Sequence, residues 1–534
     1  MRWWGWGVDE GAVSLPDAAA DLLRAELGVS GADAAPRVAF EDVRLPEPAP
    51  LPDALGGVEL RDDREARVTH ALGKSYPDLI RIRSGDGSSA PDGVALPRST
   101  DELRAILRTC ADERVAVVPF GGGTSVVGGV EPLRDGFAAA VSLDLRRLDR
   151  VLDVDRESLT ATLDPGLLGP VCEARLQGRG LTLGHFPQSF EFSTVGGWAA
   201  TRSAGQASSG YGRIDELVEG VRCIGPAGEV AAKAVPASAA GPALRELIVG
   251  SEGVLGVLCD ITVRVRALPE ARRYEAWSFR SFAEGREAFR AMEQADASPE
   301  VARLSDEEET RLSMALSASG SAAERAGRAY LRLRGHEGGC IAIIGHEGDP
   351  DGIDRRRRAC GRFLLDGGGV PLGTRPGRSW LRNRFATPYL RDDLLDRGVL
   401  VETLETATTW SSLDGLYHAV GGALRDSLAA RGTPPLVMCH VSHVYRSGAS
   451  LYFTFMARQE RGAELDQWRA AKAAACDAIV AAGGTITHHH AIGRDHAPWM
   501  TAEVGEEGVE LLRAAKSRLD PAGVMNPGKL LPAR

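Results

Sequence analysis

The chain has 534 residues, 43% of them hydrophobic and 25% charged, with a formal net charge of −10. That length exceeds what one hydrophobic core usually holds and predicts about two or three domains. The acidic balance excludes a general nucleic-acid binder, and no run of about 18–20 uncharged apolar residues is present to span a bilayer.

The eight cysteines are scattered without a C-x-x-C pair, as expected of reduced cytoplasmic thiols rather than a disulfide framework or zinc ribbon. The first residues, MRWWGWGVDEG, lack the apolar stretch of a secretory leader. A cytoplasmic location is therefore expected, with peripheral membrane contact and a homodimer left open. Trp3, Trp4 and Trp6 read as an apolar clip that packs the terminus onto another part of the chain.

Pro16–Leu27 is expected to be a helix with proline in its first turn. The proline-rich stretch 34–53 is expected to wrap over a surface. Residues 64–73 read as helical, with Ser75–Ile80 as a break. An α/β region begins near residue 86: Asp92–Pro97 as an edge strand, then a helix capped by Ser99 with Leu103, Ile106 and Leu107 on its apolar face. Val115–Val118 is a buried strand. Residues 139–143, 148–154 and 158–163 are further strands, and 167–177 is a helix ended by Gly178.

After the Val115 strand comes PFGGGTSVVGGV, Pro119–Val130. Consecutive glycines turn sharply without steric cost and expose successive N–H groups, a nest for phosphate oxygens. The loop has neither the lysine of a G-x-x-x-x-G-K-[ST] motif nor G-x-G-x-x-G spacing. Downstream, QSFEFSTVGGWAATRSAG starts at Gln188, where Ser193 or Thr194 is expected to cap a short helix facing an anion. Strands at 218–224 and 229–233 follow, then GSEGVLGV from Gly250 and a strand at 258–265.

These segments, in this order over roughly Ser88–Pro269, resemble the flavin domain of the vanillyl-alcohol-oxidase/PCMH superfamily. The resemblance implies an α+β protein. A two-subdomain FAD-binding domain at 88–271 would follow an N-terminal segment at 1–87. An α/β cap domain for substrate at 272–459 and a small helical C-terminal segment at 460–534 would complete it. It implies FAD contacts from Pro119, Phe120, Gly121, Gly122, Gly123, Thr124 and Ser125; from Gln188, Ser189, Phe190, Glu191, Phe192, Ser193 and Thr194; from Thr201, Arg202, Ser203 and Ala204; and from Glu252, Gly253, Val254, Leu255, Gly256 and Val257. Covalent members of the superfamily tether the flavin through a His or Cys, often near this loop. Pro119–Val130 has neither, so non-covalent FAD is expected.

In the remaining chain, GHEG occurs at Gly335 and again at Gly345, and both copies are expected in loops at strand ends. Arg355–Arg358 reads as a solvated helix face. Arg378, Arg382, Arg384 and Arg391 are either surface charge or include a residue gripping an anionic group. Ser450–Phe455 alternates as a strand, Leu451, Phe453 and Phe455 on one face and Tyr452 on the other. A strand reading of His488-His489-His490 sends neighbours to opposite faces, leaving only His488 and His490 to share a ligand. No carboxylate stands nearby in sequence, and Cys439, His440 and His443 likewise lack a fourth partner. No metal is expected.

The tryptophan cluster, the Tyr452 strand and the histidine triplet after GG-x-x-[ST] resemble the alkyldihydroxyacetone-phosphate synthase family over nearly the whole chain. The resemblance assigns proton transfer to Tyr452, His488, His489 and His490, and substrate contact to Arg391. It implies exchange of the acyl group of acyl-dihydroxyacetone phosphate for a fatty alcohol through a flavin N5 adduct, with a lipid phosphate and a fatty alcohol as small-molecule partners. The alternative on the same fold is an FAD-dependent 2-hydroxy acid dehydrogenase or oxidase of the D-lactate or glycolate type, with Arg391 on a carboxylate.

Overall fold

The computed structural model describes residues 1–29, 36–316 and 321–533. Three main sheets carry the chain. In the first, the order is Glu59–Arg61, Gly93–Leu96, Ala139–Asp144, Val115–Phe120, the last three parallel. The second is antiparallel: Val151–Asp155, Thr160–Leu163, Val257–Arg264, Val218–Gly225, Gly228–Ala232. The third has seven strands, ordered Val370–Gly373, Ala271–Phe279, Cys340–Gly348, Val301–Ser305, Leu436–Val444, Gly448–Arg458, Val399–Thr409. Parallel pairing in the first sheet needs a crossover. The helix Thr100–Asp112 supplies it, capped by the Ser99 hydroxyl and burying Leu103, Ile106 and Leu107.

Several local expectations change. Ser75–Ile80 does not break a helix but starts one, Tyr76–Arg83, because Ser75 and Asp78 form a reciprocal capping box and Pro77 fills the first turn. Pro16 is the N-cap of Asp17–Leu27 rather than a first-turn residue. Gly93–Leu96 is not an edge strand, since Glu59–Arg61 pairs on its open side. The second GHEG lies within the strand Cys340–Gly348, where His346 is fully buried. Arg355 and Arg358 are exposed, while Arg356 and Arg357 reach Glu300 and Glu275. From residue 36 the proline-rich stretch winds as extended chain interrupted by a 3-10 turn at Phe40–Asp42; its residues 34 and 35 lie outside the described residues.

The seven-stranded sheet sets up the chemistry. Leu451, Phe453 and Phe455 are fully buried in a core shared with Leu416, Val420 and Leu424 of the helix Leu413–Ala430 and with Ala471 and Ala475 of the helix Glu464–Ala481. Burial of each such phenylalanine is worth about 1.5–3 kcal/mol. That locks the alternation, and Tyr452 is left on the other face. Register then places Glu405, Tyr452 and His440 side by side on three adjacent strands.

The N-terminal tryptophans form the expected clip. Trp3 meets Phe40 edge-on, the Arg37 guanidinium lies 3.5 Å over Trp4, and buried Trp6 packs edge-on against Phe192.

Candidate active site

Two clusters stand out, a glycine-walled cradle and a histidine cluster. In the cradle, Gly121–Ser125 runs against Phe192–Thr194. A Cβ on Gly121 would stand 2.4 Å from Thr194 Oγ1, and one on Gly122 would stand 1.7 Å from the Phe192 carbonyl oxygen. Gly123 and Gly128 hold φ of +67° and +68°. Among the described residues, the N–H groups of Gly122, Gly123, Thr124 and Ser125 donate to no protein acceptor.

The facing wall comes from two remote segments. The Glu252 carboxylate accepts from the Ile492 and Gly493 amides at 2.8 and 2.7 Å, and burial pushes its carboxyl up to about 7. Asn526 Nδ2 donates to the Glu252 and Gly129 carbonyls, while its Oδ1, like Ser251 Oγ, is buried with no partner among the described residues. Open amides, glycines that admit no side chain and orphaned buried polar atoms fit a dinucleotide. Gly121–Ser125 would hold its pyrophosphate. Gly122→Ala forces a side chain into the Phe192 carbonyl, so the purified variant is expected to carry little FAD, read as the ratio of flavin to protein absorbance.

The other predicted contact residues are placed as follows. Pro119 and Phe120 end the strand, with Pro119 behind Gly253. Gln188 donates to the Arg384 carbonyl, and Ser189 accepts from the Ser193 hydroxyl. Phe190 stacks between Phe385 and Trp198, and Glu191 is exposed. Thr194 caps the helix Val195–Thr201. The Ser203 hydroxyl meets His185 Nε2 at 2.7 Å, and Ala204 is buried. Arg202 is turned to Glu246 and the Val249 carbonyl. Val254, Leu255 and Val257 send their side chains into the core, leaving only backbone for a ligand, and Gly256 lies over the Ile224 carbonyl.

The histidine triplet is in a bent loop, not a strand. Its rings therefore converge. Glu405, fully buried, organises the bend: it accepts from the His488 and His490 amides and from the Thr487 hydroxyl at 2.6 Å. His488 Nδ1 lies 2.9 Å from His489 Nδ1, so one ring donates and the other accepts. Tyr452 stacks at 5.8 Å on His489 and meets His490 edge-on at 5.5 Å. Burial raises the Tyr452 phenol to about 12, keeping it protonated at neutral pH. Burial also holds His488 and His489 well below the ordinary imidazole range, with His490 lowered too, so these rings are neutral.

His440 stacks on the other side of Tyr452 at 4.9 Å. Its Nε2 faces an Arg303 donor at 2.9 Å and so must accept, which leaves Nδ1–H to donate to Glu309 at 3.1 Å. That ring has no free lone pair for substrate. A register shift between Val441 and His443 re-aims His443 toward His488, 5.1 Å away, with Nε2 on the Gly205 carbonyl at 3.0 Å. Tyr445 closes the group, its hydroxyl 2.6 Å from His488 Nε2. Cys439 points the opposite way, into the core.

Arg391 stands apart from this cluster. It donates to the Lys74 carbonyl at 2.7 Å, and the Lys74 amide donates to the Ser125 carbonyl at 2.6 Å, so Arg391 flanks the glycine loop. Among the described residues, its Nε and Nη2 are buried without partners. Arg378 and Arg382 are exposed, and Arg384 lies over the Phe186 and Phe385 rings.

The sequence reading missed Glu405, Tyr445, Arg303 and Glu309 as members of this cluster. Only fold brings them within reach, and no spacing signal marks them.

The family model "FAD binding domain" matches residues 91–232, and "FAD linked oxidases, C-terminal domain" matches 268–530. Alkyldihydroxyacetonephosphate synthase of Dictyostelium discoideum is 34% identical over 514 residues, 94% of this chain and 84% of that protein. The chain belongs to the alkyldihydroxyacetonephosphate synthase family. A solved alkyldihydroxyacetonephosphate synthase superposes with a TM-score of 0.86 at 31% identity, covering 99% of both chains. p-Cresol methylhydroxylase, at 14% identity and a TM-score of 0.63 over 89% of this chain and 94% of its own, shares the fold alone.

The synthase-family chain is thus an FAD enzyme of the α+β, PCMH-like class. His185 is fully buried against Trp198 and bonded to Ser203, and His70, beside Phe120, is buried with its ring nitrogens on the Ala66 carbonyl and Asp144. FAD is expected to leave in the supernatant after acid precipitation; flavin retained on peptides after denaturation and proteolysis would refute non-covalent binding.

Proposed function

We propose that this chain makes an ether bond, exchanging the acyl group of acyl-dihydroxyacetone phosphate for a long-chain alcohol, with no net oxidation. The relatives named above support the reaction class. The observation that supports the residue roles is the grouping of a protonated tyrosine and neutral histidines around one buried carboxylate.

Tyr452 supplies a proton as the fatty acid leaves, and His489 or His490 takes one from the incoming alcohol. Glu405 keeps the triplet bent so that both rings stay against Tyr452. Arg391 offers its unpartnered Nε and Nη2 to the substrate phosphate. FAD, when bound, would supply the electron sink for this chemistry. Lipid chains imply access from a membrane surface; among the described residues no helix is long and apolar enough to cross one.

Anaerobic absorbance spectroscopy tests the reading. Acyl-dihydroxyacetone phosphate alone is expected to bleach the oxidised flavin, and a long-chain alcohol to restore it without any electron acceptor. A 2-hydroxy acid dehydrogenase behaves oppositely. D-lactate or glycolate would bleach it, and only an acceptor would bring the colour back.

A further inference from the structure

We propose that the bent histidine loop is also a transition-metal site, in which Glu405, His489 and His490 take a Zn²⁺ ion that blocks the enzyme. The carboxylate oxygens of Glu405 lie 3.8 Å from His489 Nδ1 and 3.5 Å from His490 Nδ1. Two donors at Zn–N and Zn–O lengths of about 2.0–2.2 Å in a tetrahedron stand roughly 3.3 Å apart. The ligand atoms of all three side chains lie within 4.8 Å of one another, so the group needs to close by at most about 1.5 Å around an ion. Two imidazoles and a carboxylate are a donor set that zinc takes readily.

Three features make this more than a chance grouping. The carboxylate is already oriented by the His488 and His490 amides and the Thr487 hydroxyl, which are the partners that fix a ligand's direction. A second set, His443, His488 and His489, has its ligand atoms within 4.8 Å of one another and shares His489, so the ion has a neighbouring position to move into. Tyr452 lies against both His489 and His490, so an ion held by them sits next to the proposed proton donor. The charges facing the site are mixed: Glu402 and Glu405 favour a cation near His490, and Lys472 and Arg213 oppose one. Those two cations favour a site that binds reversibly over one that keeps a resident ion.

An ion on Nδ1 of His489 and His490 displaces the His488 Nδ1–His489 Nδ1 hydrogen bond and occupies the lone pairs that would carry protons. The inhibition rests on the proton roles proposed above; the binding does not. The test uses the FAD-loaded full chain and Zn²⁺ alone in chelator-free buffer. Equilibrium dialysis is expected to give one saturable Zn²⁺ per chain, and Co²⁺ in its place to give visible bands to the red of the flavin. Outer partners alone change metal affinity by about 10–100-fold, so His490→Ala is expected to weaken binding at least about tenfold and to remove the Co²⁺ bands. Glu405→Gln is expected to do the same, and His490→Ala covers the case in which that variant fails to fold. Turnover is expected to fall as the site fills and to return on chelation. No saturable site, or binding unchanged in His490→Ala, would overturn the proposal. Binding lost in His490→Ala with wild-type turnover unaffected by Zn²⁺ would uphold the site and overturn the inhibition. An enzyme that ignores the acyl phosphate yet binds Zn²⁺ through His490 would overturn the functional reading and leave the site standing.

Discussion

Tyr452→Phe is expected to bind FAD normally and to lose the bleaching response to acyl-dihydroxyacetone phosphate, with turnover down about 10²–10⁴-fold, the usual worth of a positioned acid or base. The substitution removes one hydroxyl and little volume. The ring keeps its place because the register holds residue 452 between Glu405 and His440, and because Leu451 and Phe453 on either side are fully buried. Its stacking on His440 and His489 needs no hydroxyl. The proton is what disappears. At a pKa of about 12 the wild-type phenol is protonated across the working range, so the activity lost should not return on raising or lowering pH between about 6 and 9. Anaerobic stopped-flow absorbance at the oxidised-flavin band measures this. Wild-type bleaching amplitude and rate in the variant would move the proton donor elsewhere, with Tyr445 next, since its hydroxyl already touches His488.

Arg391→Ala is expected to raise the KM for the acyl phosphate by about 10–150-fold, the equivalent of roughly 1.5–3 kcal/mol for a charge-assisted bond, while the flavin spectrum is unchanged. Among the described residues, the guanidinium hydrogen-bonds the Lys74 carbonyl and keeps Nε and Nη2 buried without a partner. Unsatisfied buried donors cost stability in the free protein, about 1–3 kcal/mol each, so truncation should leave the melting temperature little changed. That combination, weak binding in a stable fold, separates a ligand contact from a structural arginine. Arg391→Lys should rescue poorly, because an ammonium cannot reproduce the two-pronged geometry. Unchanged KM in Arg391→Ala would place the phosphate elsewhere, and Arg384, with its buried Nη1 unpartnered, is the next arginine to truncate.

Much of the fold was legible because local rules suffice for it. Ser99 caps its helix, the Thr194 hydroxyl caps the short helix after the glycine loop, and the 450–455 alternation sorts core from site. Ser75–Ile80 misled because proline reads as a breaker until the capping box that makes it a first-turn residue is recognised. Gly93–Leu96 misled because its neighbour, Glu59–Arg61, is only three residues long and leaves no periodic signal.

The sequence by itself permitted the nest, since glycine takes the positive φ of Gly123 without strain, and it determined the side of the sheet that Tyr452 occupies; what excludes side chains at Gly121 and Gly122 is the remote pair Thr194 and Phe192. It also carried the resemblance that marks the triplet and Arg391. Only the tertiary structure decided that His488, His489 and His490 converge. A strand would have alternated them, and the bend that prevents this is held by Glu405, some eighty residues earlier in the chain. The same holds for His443, re-aimed by a bulge, and for the tautomer of His440, set by Arg303 and Glu309 from another strand and helix. Hydrogen bonds between residues far apart in sequence have no periodicity to betray them; they exist only once the sheet has brought its strands into register.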